Sequence, residues 1–186
     1  MNSITLAMVG SGGAGVAALG ELFLSAAASV GYYGILRKCF GPQIRGGESA
    51  TIIRLSDSPV SNLCGDMDLI VALDWNNFNR FEDEIPVHPH TQILQDSEAG
   101  PLPERLARAA RIQTLDFTSA ATNAGSSKTN MALLGYLAEL IQCTHAPLEK
   151  AIRKRLQKLN DEQQAVGFAA VENGRALALA NAMPLP

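Results

Sequence analysis

The chain opens with a short apolar run, a glycine-rich break and a longer amphipathic stretch. Ile4–Val9 is continuously apolar and is closed by Gly10, which is typical of a strand covered on both faces of a sheet. From Val16 to Val30, apolar residues recur at steps of three and four, which predicts a helix that ends near Gly31. The start of the chain therefore predicts a strand, a turn and a helix in succession.

Further short β-like runs follow, and each is bounded by glycine, proline, asparagine or aspartate. They span Tyr33–Leu36, Ser49–Leu55, Leu69–Leu73, Gln92–Leu94 and Ile112–Leu115. The order of these runs and of the predicted helices favours a largely parallel sheet with helices on both faces. We therefore expect one α/β domain over residues 1–186, with a three-layer α/β/α arrangement around a largely parallel or mixed sheet.

The last third of the chain has a helical pattern. Met131–Ile141 is apolar nearly all round, so we expect this helix either to be central or to lie in a surface for self-association or partner subunits. An amphipathic helix opening at Pro147 directs inward Leu148, Ile152, Leu156 and Leu159. A last helix over Asp161–Asn173 precedes a tail that we expect to be poorly anchored. Residues 147–186 are thus predicted to form a C-terminal helical extension.

Composition narrows the class of protein. Hydrophobic residues make up 47 % of the chain and charged residues 18 %, which favours a folded core over disorder. Fifteen Lys and Arg against 18 Asp and Glu give a net charge of −3, without the positive excess of a nucleic-acid binder. Cys39, Cys64 and Cys143 are far apart, which predicts free thiols and a cytoplasmic location. Glycines interrupt the first apolar stretch, so we expect no membrane span.

A glycine-rich turn follows the first predicted strand, with the sequence Gly10-Ser11-Gly12-Gly13-Ala14-Gly15. It matches the G-x-G-x-x-G pattern at a strand–helix junction, where backbone N–H groups can receive a pyrophosphate. A Rossmann site also needs an acidic residue at the end of the second strand, but Arg37 and Lys38 stand there. Three interpretations stay open: phosphate contact, close packing of strand and helix alone, and a stand-alone Rossmann-type NAD(P)-binding module.

The segment Phe40–Ser49 places one arginine between turn-forming residues. Gly41-Pro42 precedes Arg45, and Gly46-Gly47 separates it from Glu48. A guanidinium held between a rigid and a permissive backbone point suits a phosphate or a carboxylate. We therefore predict an anion-binding role for this segment, although an exposed turn before a strand is the simpler alternative.

Other patterns fail as functional motifs. Gly125–Thr129 imitates a phosphate loop but has Ser127 where the glycine before the lysine is required. His88-Pro89-His90 near three acidic residues has no standard metal-ligand spacing. The sequence offers no nucleophile motif, so we assign no catalytic and no metal-binding residue.

The order and spacing of four segments along the chain are informative: Gly10–Gly15, Phe40–Glu48, Ile53–Asp57 and Ile70–Asp74. Together they resemble the gamma subunit or domain of 2-oxoacid:ferredoxin oxidoreductases, above all the version fused to a thiamine-diphosphate-binding alpha part. Residues Ala121–Gly125, Asn130-Met131 and Leu134-Gly135 extend the resemblance to about Leu140. The sequence departs from the common pattern at Ala14, where the family frequently has glutamine.

The resemblance implies a part in the oxidative decarboxylation of a 2-oxoacid, such as pyruvate or 2-oxoglutarate, to an acyl-CoA and reduced ferredoxin. It implies that thiamine diphosphate, magnesium and iron–sulfur clusters are held by partner subunits, alpha and beta, and that the gamma part is associated with coenzyme A access. We do not expect this chain to be catalytic alone. The predicted cofactor-binding residues are Gly10, Gly12, Gly13, Gly15, Arg45, Gly46, Gly47 and Glu48.

Overall fold

A computed structural model describes residues 3–40, 49–63, 65–76, 78–81, 83–109, 111–157, 159–181 and 183. Over these residues the strands are β1 (Ser3–Gly10), β2 (Tyr33–Phe40), β3 (Ser49–Ser56), β4 (Leu69–Ala72), β5 (Gln92–Asp96) and β6 (Arg111–Leu115). The α-helices are α1 (Val16–Ser29), α2 (Phe117–Asn123), α3 (Thr129–Leu140), α4 (His145–Leu156) and α5 (Asp161–Asn181). Two short 3-10 helices cover Phe78–Phe81 and Glu104–Arg108. None of these described helices has the length and apolar character needed to span a membrane.

The strands form one sheet in the order β2-β3-β1-β4-β5-β6. β1, β4, β5 and β6 are parallel to one another, whereas β3 runs antiparallel to both β1 and β2. This arrangement confirms the expected single α/β domain with a largely parallel, mixed sheet. The carboxyl ends of the parallel strands therefore meet at one edge, where α/β proteins bind ligands.

The two faces of the sheet bury separate cores because side chains alternate along each strand. In β1, Leu6 and Met8 pack with the α-helices, whereas Ala7 and Val9 point to the other face. Among the described residues, the second face is covered by the two 3-10 helices and their loops rather than by α-helices. Prolines such as Pro86 and Pro89 interrupt helix formation in that part of the chain.

Helix α3 is central and is covered by the chain's own helices. Its residues 130–138 are all buried, and α5 packs closely along it. A Cβ at Gly135 would lie 1.9 Å from the Val171 carbonyl oxygen, and one at Gly174 would lie 1.8 Å from the Ala132 carbonyl oxygen. The expectation of a central helix over Met131–Ile141 is therefore confirmed, and the alternative expectation of a docking surface there is wrong, because α5 and its neighbours bury that apolar helix.

The C-terminal region differs from the sequence-based expectation in two ways. Helix α5 continues to Asn181 instead of ending at Asn173, and the Met183 N–H donates to the Tyr136 hydroxyl at 3.1 Å. This hydrogen bond anchors the described end of the chain. Helix α5 continues because the alanine-rich sequence before the final prolines favours helix. Leu159, expected on the inner face, lies beyond α4 and is 41 % exposed.

Candidate functional site

The glycine turn joins β1 to α1 at the carboxyl edge of the parallel strands. Gly13 and Gly15 have φ angles of 96° and 85°, in the left-handed region that glycine adopts without a Cβ penalty. The Ala14 N–H donates to the Ser11 carbonyl oxygen at 3.0 Å, which closes the turn. Because no described side chain caps α1, the N–H groups of its first turn remain available to an anion.

The other two predicted glycines occupy the start of this turn. Gly10 ends β1, and a Cβ there would lie 3.0 Å from Val16 Cγ2 and 3.3 Å from Leu73 Cβ. Gly12 lies half-buried within the turn. Gly10 therefore also serves the close packing of strand against helix, which was one of the interpretations left open by the sequence.

Asn130, the second residue of α3, holds the end of the turn. Its side-chain Nδ2 donates to the Gly15 carbonyl oxygen at 3.2 Å, and the residue is buried. A Cβ on Gly15 would lie only 2.3 Å from that nitrogen. The turn thus needs glycine at this position for its φ angle and for the space that Asn130 occupies.

Asp74 follows β4 and fixes the front of the turn. Its carboxylate accepts the Ser11 N–H at 2.7 Å, the Ser11 hydroxyl at 2.8 Å and the Asn76 N–H at 3.0 Å. This carboxylate therefore organises the glycine turn from the neighbouring strand.

A polar pocket of about 200 Å³ opens beside the turn. It is lined by Gly13, Ala14, Leu73, Asp74, Asp96, Glu98, Thr118, Ser127, Lys128 and Thr129. Some of these residues lie at or after the ends of neighbouring strands. The others lie in the first turn of α2 or α3, or just before α3. Its volume is below the range of about 300–1,000 Å³ that encloses a drug-sized ligand, so the pocket fits one end of a larger molecule.

Asp96 organises the far side of the pocket. It is 2 % exposed and accepts the Thr118 N–H at 2.9 Å, the Thr118 hydroxyl at 2.6 Å and the Glu98 N–H at 3.3 Å. The Thr118 and Thr129 hydroxyls lie 3.3 Å apart. Like the Asp74 carboxylate, the Asp96 carboxylate accepts hydrogen bonds from backbone N–H and hydroxyl groups, and in this way it holds the loops in place.

Lys128 supplies the ammonium group at the pocket. Its backbone N–H donates to the Ser126 hydroxyl at 3.0 Å, and among the described residues its side chain forms no ion pair. The imitation phosphate loop Gly125–Thr129 precedes a helix but follows α2 rather than a strand, so it is not a Walker motif. Two of its residues, Lys128 and Thr129, nevertheless line the same pocket as the glycine turn.

The predicted residues Arg45, Gly46, Gly47 and Glu48 lie outside the described residues, so their assignment stays a prediction. The ends of their segment are described: Phe40 pairs with Ser49 across β2 and β3, and Ser49 pairs with Gly10 across β3 and β1. The described chain thus resumes at Ser49, beside the first residue of the glycine turn, whereas Phe40 lies on β2, two strands from β1.

The described histidines and cysteines have other partners. His88 contacts Asp66 at 2.8 Å, and His145 contacts Glu172 at 3.1 Å. Across the described residues, no group of three His, Cys, Asp or Glu side chains could hold a metal ion. Burial and the Glu84 carboxylate, which accepts its S–H, raise the pKa of Cys39 to about 11. Burial likewise raises the pKa of Cys143, so both thiols are protonated near neutral pH.

Fold and site together define an α/β protein with a ligand-accessible glycine turn at the carboxyl edge of a mixed sheet. The family model for pyruvate ferredoxin/flavodoxin oxidoreductases matches residues 5–177. The chain therefore belongs to this family. No curated protein matches it in sequence.

Solved structures of similar fold come from three bacteria. A 2-oxoglutarate:ferredoxin oxidoreductase from Magnetococcus marinus, with 2-oxoglutarate, coenzyme A and succinyl-CoA bound, has a TM-score of 0.82 and 23 % identity over 100 % of this chain and 32 % of that chain. The gamma subunit of a keto/oxoacid ferredoxin oxidoreductase from Geobacter sulfurreducens has a TM-score of 0.67 and 24 % identity, covering 97 % and 98 %. A pyruvate oxidoreductase subunit from Thermotoga maritima has a TM-score of 0.66 and 17 % identity, and the match covers 95 % of this chain and 97 % of that chain. The chain thus spans about a third of the Magnetococcus marinus chain and nearly all of the other two.

The alternative of a stand-alone Rossmann-type module is not supported. In a Rossmann fold the second strand lies beside the first and parallel to it, whereas here the antiparallel β3 separates β2 from β1. Arg37 and Lys38 on β2 are therefore about 10 Å from β1, at two inter-strand spacings. They also pair with Glu84 and Glu21, respectively, instead of facing the glycine turn.

Proposed function

We propose that this chain is the gamma part of a 2-oxoacid:ferredoxin oxidoreductase and contributes to the coenzyme-A-dependent decarboxylation of a 2-oxoacid such as pyruvate or 2-oxoglutarate. The family match over residues 5–177 is the observation that carries this proposal. The fold it shares with oxidoreductase gamma subunits supports it. In this proposal the electrons pass to ferredoxin, and the product is an acyl-CoA.

The residues of the pocket suit a contact with one end of coenzyme A. The uncapped N-terminus of α1 and the Lys128 ammonium both favour a phosphate group. Asp74 and Asp96 are occupied by backbone and hydroxyl donors. The anion would therefore lie toward Gly13 and Lys128, with the rest of the ligand on the surface.

The segment with Arg45 is the second part of the proposed coenzyme A contact. Ser49, the described residue that follows this segment, pairs with Gly10 at the start of the glycine turn. A guanidinium forms two parallel hydrogen bonds with a phosphate, which an ammonium group cannot match. Arg45 with Gly46, Gly47 and Glu48 is thus the second half of the proposed coenzyme A contact.

The catalytic cofactors belong to other parts of the complex in this proposal. Thiamine diphosphate, magnesium and iron–sulfur clusters would be held by alpha and beta subunits. An iron–sulfur cluster takes four cysteine thiolates, whereas this sequence has three cysteines, which are far apart. Cys39 and Cys143 are free, which supports the proposed cytoplasmic location.

Co-purification tests the proposal. The affinity-tagged chain should be expressed in its source, and the proteins that elute with it should be identified by mass spectrometry. We expect stoichiometric chains that bind thiamine diphosphate and iron–sulfur clusters. Elution of the chain without such partners would contradict the proposal.

A further inference from the structure

A groove of about 590 Å³ runs between α1 and α4, away from the glycine turn. One wall carries the hydroxyl groups of Ser25 and Ser29, and the other carries the side chains of Lys150 and Lys154. Ala146, Pro147 and Ala151 line the space between them. The groove therefore combines small side chains, two hydroxyls and two ammonium groups.

The spacing of these residues makes the groove continuous along both helices. Ser25 and Ser29 are four residues apart on α1, and Lys150 and Lys154 are four residues apart on α4. Positions four apart lie on one face of a helix, with about 5–6 Å between their Cβ atoms. The two lysines thus lie in a row along α4 and the two serines in a row along α1, where the Ser29 hydroxyl donates to the Ala26 carbonyl oxygen at 2.6 Å.

The charges around the groove are unbalanced. Among the described residues, neither Lys150 nor Lys154 forms an ion pair. One α1 turn before Ser25, Glu21 binds Lys38 and lies 3.9 Å from Arg155. Glu149, beside Lys150 on α4, pairs with Arg153. Lys150 and Lys154 are therefore the charged residues among those that line the groove, in a chain whose overall net charge is −3. The charge of the groove is therefore positive, opposite in sign to the net charge of the whole protein.

Helix α4 contributes few residues to the chain's own core. Its only buried residues in the described chain are Leu148 and Ile152, whereas α3 buries nearly its full length. The lysine-bearing face of α4 is thus free to receive a partner without disturbing the core. Opposite charge on a partner protein favours its contact with a basic surface of this kind.

We propose that the α1–α4 groove binds an acidic segment of the alpha or beta subunit, an inference that rests on the function proposed above. Carboxylates of that segment would pair with Lys150 and Lys154, and small apolar side chains would fill the space beside Ala151. The groove is short and enclosed by two helices, which fits a protein segment better than the extended backbone of a nucleic acid. Leu148 and Ile152 are buried in the core and Leu156 packs against it, so the large apolar side chains of α4 are directed to the chain's own core rather than to a membrane.

Carboxyl–amine cross-linking of the co-expressed complex tests this contact. A carbodiimide joins ammonium and carboxylate groups that are in direct contact, and mass spectrometry identifies the linked residues. We expect links from Lys150 or Lys154 to aspartate or glutamate in a partner subunit, and slower acetylation of both lysines in the complex than in the free chain. Unchanged acetylation and absence of such links would overturn the proposal, as would protection of both lysines only by added DNA or anionic vesicles.

A charge-reversed pair gives the second arm of the test. Lys150→Glu with Lys154→Glu should weaken assembly about tenfold or more, because attraction is replaced by repulsion. Arg108→Glu with Arg111→Glu changes the net charge equally at the opposite end of the sheet and should leave assembly intact. Equal effects of the two pairs would contradict the groove as the contact. If the unmodified chain fails to assemble, the proposed function itself fails, which the unmodified control shows separately.

Discussion

The carboxylate of Asp74 binds both the backbone N–H and the side-chain hydroxyl of Ser11, 63 residues earlier in the chain. Since Ser11 begins the glycine turn, the end of β4 determines how the turn after β1 is held. We predict that Asp74→Ala lowers the free energy of unfolding by about 1.5–3 kcal/mol, the range for hydrogen bonds to a charged group. Denaturant titration measures this loss, and Asp57→Ala at an exposed position is the control. Equal stability of the two variants would show that Asp74 does not hold the turn.

Gly15 and Gly13 form a matched pair for testing the turn. Both have positive φ angles, so alanine at either costs roughly 1–2 kcal/mol in backbone strain. Only at Gly15 would the new Cβ overlap Asn130 and break its hydrogen bond to the turn, whereas the position at Gly13 is open. Gly15→Ala should therefore destabilise the chain more than Gly13→Ala by about 1 kcal/mol or more. Thermal or urea unfolding of the two variants decides this, and the reverse order would contradict the described contact.

The crossing of α3 and α5 depends on glycine at the contact. Gly135→Ala or Gly174→Ala would drive a methyl group into a backbone carbonyl, which cannot rotate away. We expect a loss of about 3 kcal/mol or failure to fold, against a gain of up to about 1 kcal/mol in helix propensity. Gly167→Ala in α5 is the control, because its Cβ would meet the flexible side-chain ends of Leu156, at 2.9 Å, and Met131, at 3.8 Å, rather than backbone. Native stability in Gly135→Ala would mean that the two helices are farther apart.

Much of the fold follows from the sequence because buried strands leave a clear apolar signal. The runs at Ile4–Val9 and Leu69–Leu73 correspond to β1 and β4, and the spacing after the glycine turn corresponds to α1. The antiparallel direction of β3 depends on how the strands assemble, which no local pattern records. Helix α2 was missed because it is short and polar, although Asp116 caps it through the Ser119 N–H.

The site was harder to predict than the fold. The glycine turn was identified by its spacing, but the pocket also uses Asp96, Thr118 and Lys128, whose meeting depends on strand order. Asp96 ends the strand next to that of Asp74, and this position was the one available signal for it. Lys128 carried no usable signal, because its segment resembles a phosphate loop only in part.

Arg45 is predicted to contact the phosphates of coenzyme A. In the assembled complex, Arg45→Ala should weaken the use of coenzyme A by about 1.5–3 kcal/mol, as expected for a lost charged hydrogen bond. Decarboxylation without coenzyme A should be largely kept. Steady-state kinetics with varied coenzyme A measures both effects. An unchanged Michaelis constant and rate would leave Arg45 with a structural role, and loss of assembly would place it at a subunit interface.

Reconstitution of activity tests the central claim most directly. The purified chain alone should be colourless and inactive toward 2-oxoacids, since the described residues contain no iron-binding cluster and the sequence offers no nucleophile motif. Ferredoxin reduction should be measured with pyruvate or 2-oxoglutarate and coenzyme A, using alpha and beta subunits with and without this chain. We predict that coenzyme-A-dependent reduction appears only when the chain is present. Turnover by the chain alone, or full activity of the alpha and beta subunits without it, would contradict its assignment as the gamma part of the complex.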